Sequence, residues 1–262
     1  MRHSFVFLII LFIFQNIVSQ NHYPVDSIDD DLFINANAIV RDYNTDFTIV
    51  DHGNASLHVY MATTILNKAG EEQGVLSEFH HKFKKINNVR GWIYDKSGYL
   101  LRELKRSDIQ DVSPISDFTL YEDNRLKYCK PVADFYPYTV VYEYDIQYKG
   151  LFYYPTWQAV PDFNVSVEKA AFTISSPTDL NFKYKQQRIP HKPVLKNNGK
   201  ESIYLWNIQN IEALPEEPLS YDFSELVPAI YLAPAQFEIM GYAGNMKTWS
   251  DFGAWVSHSL DG

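Results

Sequence analysis

A strict alternation of side chains over residues 138–149 constrains this sequence more than any other feature. Large aromatic or branched side chains occupy the even positions, from Tyr138 to Tyr148, and polar or charged side chains fill the odd positions from Glu143 onward. Successive side chains of a β-strand point to opposite faces, so a period of two predicts a half-buried strand. A strand of this kind requires a sheet around it.

Similar segments rich in Val, Ile, Thr and Tyr recur along the chain, separated by turn sequences such as Asp95-Lys96-Ser97-Gly98. Regularly spaced strands with short turns are typical of all-β sandwiches or barrels rather than of βαβ units. We therefore predict a mainly β protein, an antiparallel β-sandwich over residues 35–240 with a short C-terminal helical segment. Pro234 interrupts an apolar stretch over residues 229–239 and favours an edge strand there.

The last segment, residues 241–262, has a different pattern. It places large apolar side chains at helical spacing: Trp249, Phe252 and Trp255. Thr248 followed by Asp251 resembles a capping box at the start of a helix. Because the apolar stripe of such a helix needs a partner, we predict that these three rings dock onto another domain or back onto the sandwich.

The N-terminus is typical of an exported protein. A basic start and a short apolar stretch end in a small residue near position 19, which predicts a signal peptide over residues 1–19, cleaved near Ser19 or Gln20. The alternative, an uncleaved anchor, needs about 20 apolar residues and is less well supported. Residues 20–34 are polar and acidic and predict a flexible lead-in. We expect a periplasmic or cell-surface location.

Composition excludes several function classes. The net charge of −9 at pH 7 argues against nucleic-acid binding, because that affinity depends on Lys and Arg meeting phosphates. Cys129 is the only cysteine, so no intrachain disulfide can form. Neither a phosphate-binding glycine loop nor a nucleophile elbow is present in the sequence, and we expect no cofactor.

Cys129 is the one candidate nucleophile. Its lysine neighbours could lower the pKa of the thiol, but no histidine lies in a recognisable catalytic signature. Free cysteines are usually buried, and a structural role is favoured. We predict no catalytic residue in this chain. The pairs His80-His81 and His52/His58 lack a third ligand, and no metal site is predicted.

Aromatic residues that follow the long strand offer a candidate binding surface: Tyr153, Tyr154 and Trp157. Rings beside polar residues can stack on sugars or on peptide side chains, which would suit a glycan or peptide ligand. The alternative is that these rings fill the core, because large rings supply much of the burial in any core.

The order of these features resembles a known family. The matching segments are Arg125–Tyr128, Tyr138–Tyr144, Phe152–Pro155, Val167–Ile174 and the Trp-x-x-x-Gly-x-Trp segment Trp249–Trp255. Over roughly residues 35–260 the chain is similar to the exported domain of unknown function 3857. The resemblance implies a β-sandwich that precedes a transglutaminase-like Cys-His-Asp domain in the same polypeptide. The catalytic residues of that domain would lie beyond Gly262, and we expect residues 241–262 to be its helical lead-in.

Two functions remain open from sequence. The first is a non-catalytic module that positions or supports a downstream thiol acyl-transfer or peptidase-like domain. The second is a cell-surface sandwich that binds a carbohydrate or a peptide. The sequence encoded immediately after codon 262 would distinguish them most directly.

Overall fold

The structure is a computed structural model that describes residues 22–113, 124–246 and 248–260. The expected signal peptide, residues 1–19, lies outside the described residues and stays a prediction. Among the described residues, no helix combines the length and the apolar character that a membrane crossing requires.

Strands dominate the described residues, as predicted. In chain order they are β1 (Ala38–Ile49), β2 (Asn54–Ile65), β3 (Leu76–His80), β4 (Lys84–Tyr94), β5 (Leu100–Glu103), β6 (Gln110–Val112), β7 (Arg125–Cys129), β8 (Tyr138–Lys149), β9 (Trp157–Gln158), β10 (Val165–Pro177), β11 (Phe182–Gln187), β12 (Val194–Asn197), β13 (Glu201–Ile211), β14 (Ala229–Pro234), β15 (Gln236–Ile239) and β16 (Tyr242–Asn245). The helices are α1 (Phe223–Leu226) and α2 (Trp249–Leu260), with 3-10 helices at Val25–Ser27, Asp30–Phe33, Lys68–Gly74 and Arg106–Asp108. The mainly β class with a short C-terminal helix is confirmed.

Eight strands form the largest sheet, in the order β12-β13-β10-β1-β2-β8-β4-β5. The pairing of β1 with β10 is parallel, from Ala38 opposite Val165 to Thr48 opposite Ser175. This corrects the prediction of a purely antiparallel arrangement. A parallel pair needs a long crossover, and the chain between β1 and β10 is long enough to supply one.

Strand β8 has the predicted bounds, but its burial differs from the prediction in one half. Its second half alternates between the core and the solvent side, whereas Tyr138 to Tyr142 are buried on both faces. The Thr139 hydroxyl, on the outer face, lies 2.8 Å from the Thr64 hydroxyl of β2. The outer face of the sheet is therefore covered at this end.

Three-stranded sheets, β11-β14-β9 and β3-β7-β6, lie against the large sheet. Trp157 of β9 stacks on Phe172 of β10 with ring centroids 5.3 Å apart. Farther along the same face of the large sheet, the Tyr142 hydroxyl of β8 donates to the Gly74 carbonyl just before β3, at 3.0 Å. The edge strand that Pro234 favoured is corrected, because β14 is the central strand of its sheet. Pro234 is tolerated there because it ends β14 opposite Phe182 of β11, beyond the two residues that pair with β9.

The N-terminal segment is more ordered than the flexible lead-in predicted for residues 20–34. From residue 22 onward it forms two 3-10 helices, and Leu32 is only 1% exposed. Arg41 of β1 holds the segment in place, because its guanidinium pairs with Glu168 at 2.5 Å and donates to the Tyr23 carbonyl at 3.1 Å. The sequence suggested flexibility because the apolar anchors are few among many acidic residues.

Candidate functional site

Four aromatic rings meet where α2 packs on the rest of the chain, and we call them the α2 cluster: Phe152, Phe237, Phe252 and Trp255. Phe152 follows β8, Phe237 lies in β15, and the other two belong to α2. Phe237 contacts Trp255 edge-on at 4.9 Å and Phe152 at 5.0 Å, and Trp255 stacks on Phe152 at 5.7 Å. Edge-to-face and offset-stacked pairs at these distances stabilise the packing beyond simple area burial.

Helix α2 begins with the capping box that the sequence predicts. The Thr248 hydroxyl accepts the Asp251 backbone N–H at 3.1 Å, and the Asp251 carboxylate accepts the Thr248 backbone N–H at 3.1 Å. Two backbone donors at the helix start are thereby satisfied. This cap sets where the helix begins and hence which rings face Phe152.

The β15–β16 hairpin links α2 to the large sheet. The Glu238 backbone N–H donates to the His52 carbonyl at 2.9 Å, and its carbonyl accepts from Leu151 at 3.1 Å. In β16, Gly244 lies so close to Phe237 and Trp255 that an added Cβ would come within 2.5 Å and 2.7 Å of their rings. The absence of a side chain at this glycine allows the rings to approach the hairpin backbone.

Two cavities lie on either side of Phe152 and Tyr153. The first, of about 450 Å³, is bordered by Trp255 and Ile239 and extends to the β3–β4 turn. The second, of about 380 Å³, is bordered by Trp249 and by the start of α2. Both volumes lie within the range of small-ligand sites. The two cavities and the α2 cluster form the candidate functional site.

The polar end of the first cavity comes from the β3–β4 turn and from β8. His81, Lys84 and Tyr148 line it, and Phe83 lies between the first two in the chain. Lys84 is ion-paired with Glu78 of β3. Burial, followed by the charge of Glu78, raises the pKa of the Tyr148 hydroxyl, which therefore stays protonated at neutral pH.

A family profile described as "Domain of Unknown Function with solved-structure structure (DUF3857)" matches residues 51–215 of this sequence. The chain belongs to the DUF3857 family. This agrees with the resemblance inferred from the sequence, over a shorter range. No curated protein matches the sequence.

A solved structure shares the fold of this DUF3857 chain at low sequence identity. A candidate protease from Parabacteroides distasonis superposes with a TM-score of 0.65 at 16% identity, covering 76% of this chain and 40% of that one. An M1 zinc metallopeptidase from Deinococcus radiodurans gives a TM-score of only 0.35 at 6% identity, covering 80% of this chain and 46% of that one. The chain thus spans less than half the length of each.

The family-matched range includes one part of the candidate site of the DUF3857 chain and leaves the other part outside. His81, Lys84, Phe152 and Tyr153 lie inside the matched range, whereas the β15–β16 hairpin and α2 lie beyond residue 215. Each cavity is therefore built from both parts. The sequence analysis missed the β3–β4 turn as part of a site, although the run from His80 to Lys85 was visible as a dense basic stretch.

The structure separates the three rings that the sequence proposed as a binding platform. Tyr153 is 76% exposed and lines both cavities, whereas Tyr154 and Trp157 are only 6% and 2% exposed. Trp157 also stacks on Tyr43, at 6.0 Å. The platform is therefore corrected. The pairing of β9 with β14 draws Trp157 into the core, Tyr154 packs edge-on against Phe47 at 5.3 Å, and of the three rings only Tyr153 is exposed.

The three predicted docking rings also have different environments. Phe252 and Trp255 pack within the α2 cluster, so part of the stripe docks back onto the chain itself. Trp249 is 89% exposed at the start of α2, beside the second cavity. Docking of Trp249 onto another domain stays a prediction.

Cys129 lies at the end of β7 and is only 3% exposed. Burial raises the pKa of its thiol, which opposes formation of the reactive thiolate. The Tyr142 hydroxyl, 3.3 Å from the Cys129 carbonyl, sits beside it. These surroundings are those of a structural cysteine.

The histidines of the candidate metal pairs have polar partners of other kinds. The His58 Nδ1 lies 2.8 Å from Asp145 and the His52 Nε2 lies 2.7 Å from Gln236. His80 is 3.2 Å from Asp111. Over the described ranges, no group of three or more His, Cys, Asp or Glu side chains is arranged to hold a metal ion.

Proposed function

We propose that this chain is the non-catalytic β-sandwich module of an exported transglutaminase-like protein. In that role it positions a downstream thiol acyl-transfer or peptidase-like domain through the start of α2. The exposed contact surface consists of Trp249 and Tyr153. The proposal includes a cleaved signal peptide and a periplasmic or cell-surface location, as the N-terminal sequence predicts.

The observation that carries the proposal is the exposure of two large rings at one edge of the α2 cluster. Trp249 is 89% exposed and Tyr153 is 76% exposed, and both line the second cavity. Aromatic residues exposed side by side are typical of interaction surfaces. Phe252 packs on Phe152 and fixes the helix in place, so Trp249 is presented by an anchored element.

The comparisons support a role beside another domain. The DUF3857 chain corresponds to 40% of the candidate protease from Parabacteroides distasonis, whose fold it shares. The buried, protonated state of Cys129 supports a non-catalytic role, since a nucleophilic cysteine requires an accessible thiolate.

The test begins with the reading frame that follows codon 262 and continues with the full-length protein. In that protein we expect Trp249→Ala combined with Tyr153→Ala to uncouple the two domains, so that one calorimetric unfolding transition becomes two. Tyr221→Ala is the matched control, because Tyr221 is also 76% exposed but lies in the connector before α1.

A reading frame without a transglutaminase-like domain would overturn the proposal. The same conclusion would follow if the double variant unfolded like the Tyr221→Ala control. The alternative function, binding of a carbohydrate or a peptide, now depends on the first cavity rather than on Trp157.

A further inference from the structure

The first cavity has a wall of rings suited to a flat apolar group. Phe83, Phe152 and Trp255 border it, with Ile239 at the hairpin and the exposed Tyr153 at its rim. The Trp255 indole N–H donates to the Tyr242 carbonyl at 3.4 Å, so the surface that Trp255 presents to the cavity is mainly apolar. Aromatic walls of this kind favour aromatic ligands, which stack or pack edge-on.

The polar side chains that line the cavity are rich in hydrogen-bond donors. The Phe83 backbone N–H donates to the His81 Nδ1 at 3.2 Å, so the neutral His81 ring carries its proton on Nε2 and that atom is a donor. The protonated Tyr148 hydroxyl and the Lys84 ammonium group add further donors. No carboxylate is among the described residues that border this cavity.

Basic side chains are concentrated at this end of the cavity, in a protein whose net charge is negative. Burial, then the charges of Lys84, His80 and Lys82, lower the pKa of His81. Glu78 takes one donor of Lys84 and offsets its charge, but an ammonium group has three donors. A ligand that offers acceptor oxygens with a single negative charge would therefore complement this end.

We propose that the first cavity binds an aromatic group that bears a carboxylate, with the ring between Phe152 and Phe83 and the carboxylate at His81 and Lys84. The same chemistry is offered by a free aromatic acid and by the C-terminal aromatic residue of a peptide. The proposal goes beyond domain positioning, because it uses the cavity on the side of Phe152 away from Trp249.

The test is isothermal titration of the folded chain with N-acetyl-L-tryptophan and with its neutral amide. We expect the acid to bind about tenfold more tightly than the amide, because hydrogen bonds to a charged acceptor are stronger than those to a neutral one. Tenfold corresponds to about 1.4 kcal/mol. Titration with Gly-Gly-Trp and its amide distinguishes the sources: tighter binding of the peptide acid indicates a chain terminus, and tighter binding of the single residue indicates a free acid.

Variants separate the polar and aromatic contributions. His81→Leu should reduce binding of the acid to the level of the amide, while His81→Gln, which keeps a donor, should retain most of the preference. Tyr153→Ala, at an exposed position, should weaken both ligands together. Trp249→Ala, which borders only the second cavity, should change neither.

Equal affinity of the wild-type chain for acid and amide would overturn the proposal, and so would the absence of binding at millimolar ligand. Both results are obtained with the wild-type chain, so neither depends on whether a variant folds. Tyr153 contributes to both proposals. The outcomes are still distinguishable, because the difference between acid and amide in the wild-type chain depends on His81 and Lys84 and does not involve Trp249.

Discussion

The molecule contains two aromatic assemblies that differ in the exposure of their surroundings. One is a continuous stack through the interior, which we call the core stack: Tyr43, Trp157, Phe172 and Trp206, with successive centroids 6.0, 5.3 and 6.0 Å apart. The other is the α2 cluster, whose edge leaves Trp249 and Tyr153 in solvent. The core stack draws its rings from four strands, β1, β9, β10 and β13, and is enclosed by two sheets.

The difference shows that enclosure, rather than ring content, decides what an aromatic assembly can do. Hydrogen-bonded ladders fix the strands around the core stack, so its rings contribute to stability and are closed to ligands. Helix α2 packs on the β15–β16 hairpin and on Phe152. Trp249, at the start of the helix, is exposed, and cavities form next to it.

The largest expected effect comes from a tryptophan of the core stack. Trp157→Ala should destabilise the protein by about 3–5 kcal/mol, because it removes a buried ring between Tyr43 and Phe172 and leaves a cavity. Trp249→Ala, the matched change in the α2 region, should alter stability by no more than about 0.5 kcal/mol. Urea denaturation of both variants measures the contrast. Similar losses of stability in the two variants would contradict the difference between the core stack and the α2 region.

Whether the sequence predicts a feature depends on how far apart in the chain the residues that determine it lie. The bounds of β8 were predictable because its alternation is local, and so was the cap formed by Thr248 and Asp251. The residues around Trp157 and Trp249 contain no local signal that predicts which of the two rings is buried. Trp157 is buried because β9 pairs with β14, a contact between distant parts of the chain that the sequence alone does not determine.

The candidate site was harder to predict for the same reason. His81 and Trp255 border one cavity although most of the family-matched region lies between them in the sequence. The basic run at the β3–β4 turn and the terminal tryptophans were each recognisable, but their proximity arises from sheet order and from the hairpin. Only a three-dimensional arrangement could join them into one site.

A second prediction extends the comparison to the N-terminal segment, which is anchored by charge rather than by rings. Arg41→Ala should cost about 3 kcal/mol, because Arg41 is 3% exposed and its loss leaves Glu168 without its partner. Hydrogen exchange of residues 22–33 should accelerate in the same variant. Arg90→Ala is the control: its pair with Glu143 is exposed, with 58% of the Arg90 side chain accessible, and its loss should cost less than about 1 kcal/mol. An equal cost for both arginines would show that the buried pair does not anchor the segment.

A third prediction concerns how tightly the α2 cluster is packed. Gly244→Ala should destabilise the attachment of α2 by about 1–3 kcal/mol, because the new methyl group would overlap the rings of Phe237 and Trp255. Gly253→Ala, in α2 itself, meets no atom within 4 Å and should stabilise the helix by about 0.5–1 kcal/mol. Thermal unfolding followed by tryptophan fluorescence distinguishes the two. If Gly244→Ala were neutral, the cluster would be loosely packed and α2 free to move.

The smallest expected effect distinguishes two adjacent tyrosines, the buried Tyr154 and the exposed Tyr153. Burial against Phe47 raises the pKa of Tyr154 to about 12, and its hydroxyl has no hydrogen-bond partner within the part of the chain that the structure describes. Because the folded-state pKa is raised, the unfolded chain loses this proton first. The stability contributed by the protonated hydroxyl is complete below about pH 10, the ordinary value for tyrosine, and is lost as pH rises toward 12.

Tyr154→Phe should therefore change stability at pH 8 by less than about 1 kcal/mol, since no hydrogen bond is lost, and should reduce the decline of stability between pH 10 and 12. Tyr153→Phe, at the exposed neighbouring position, is the control for loss of a hydroxyl and should leave the free energy of unfolding at pH 8 nearly unchanged. Urea unfolding at several pH values gives both quantities. If the decline of stability were unchanged in Tyr154→Phe, the Tyr154 hydroxyl would have to reach water in solution. The core around Tyr154 would then be less enclosed than the ring contacts indicate.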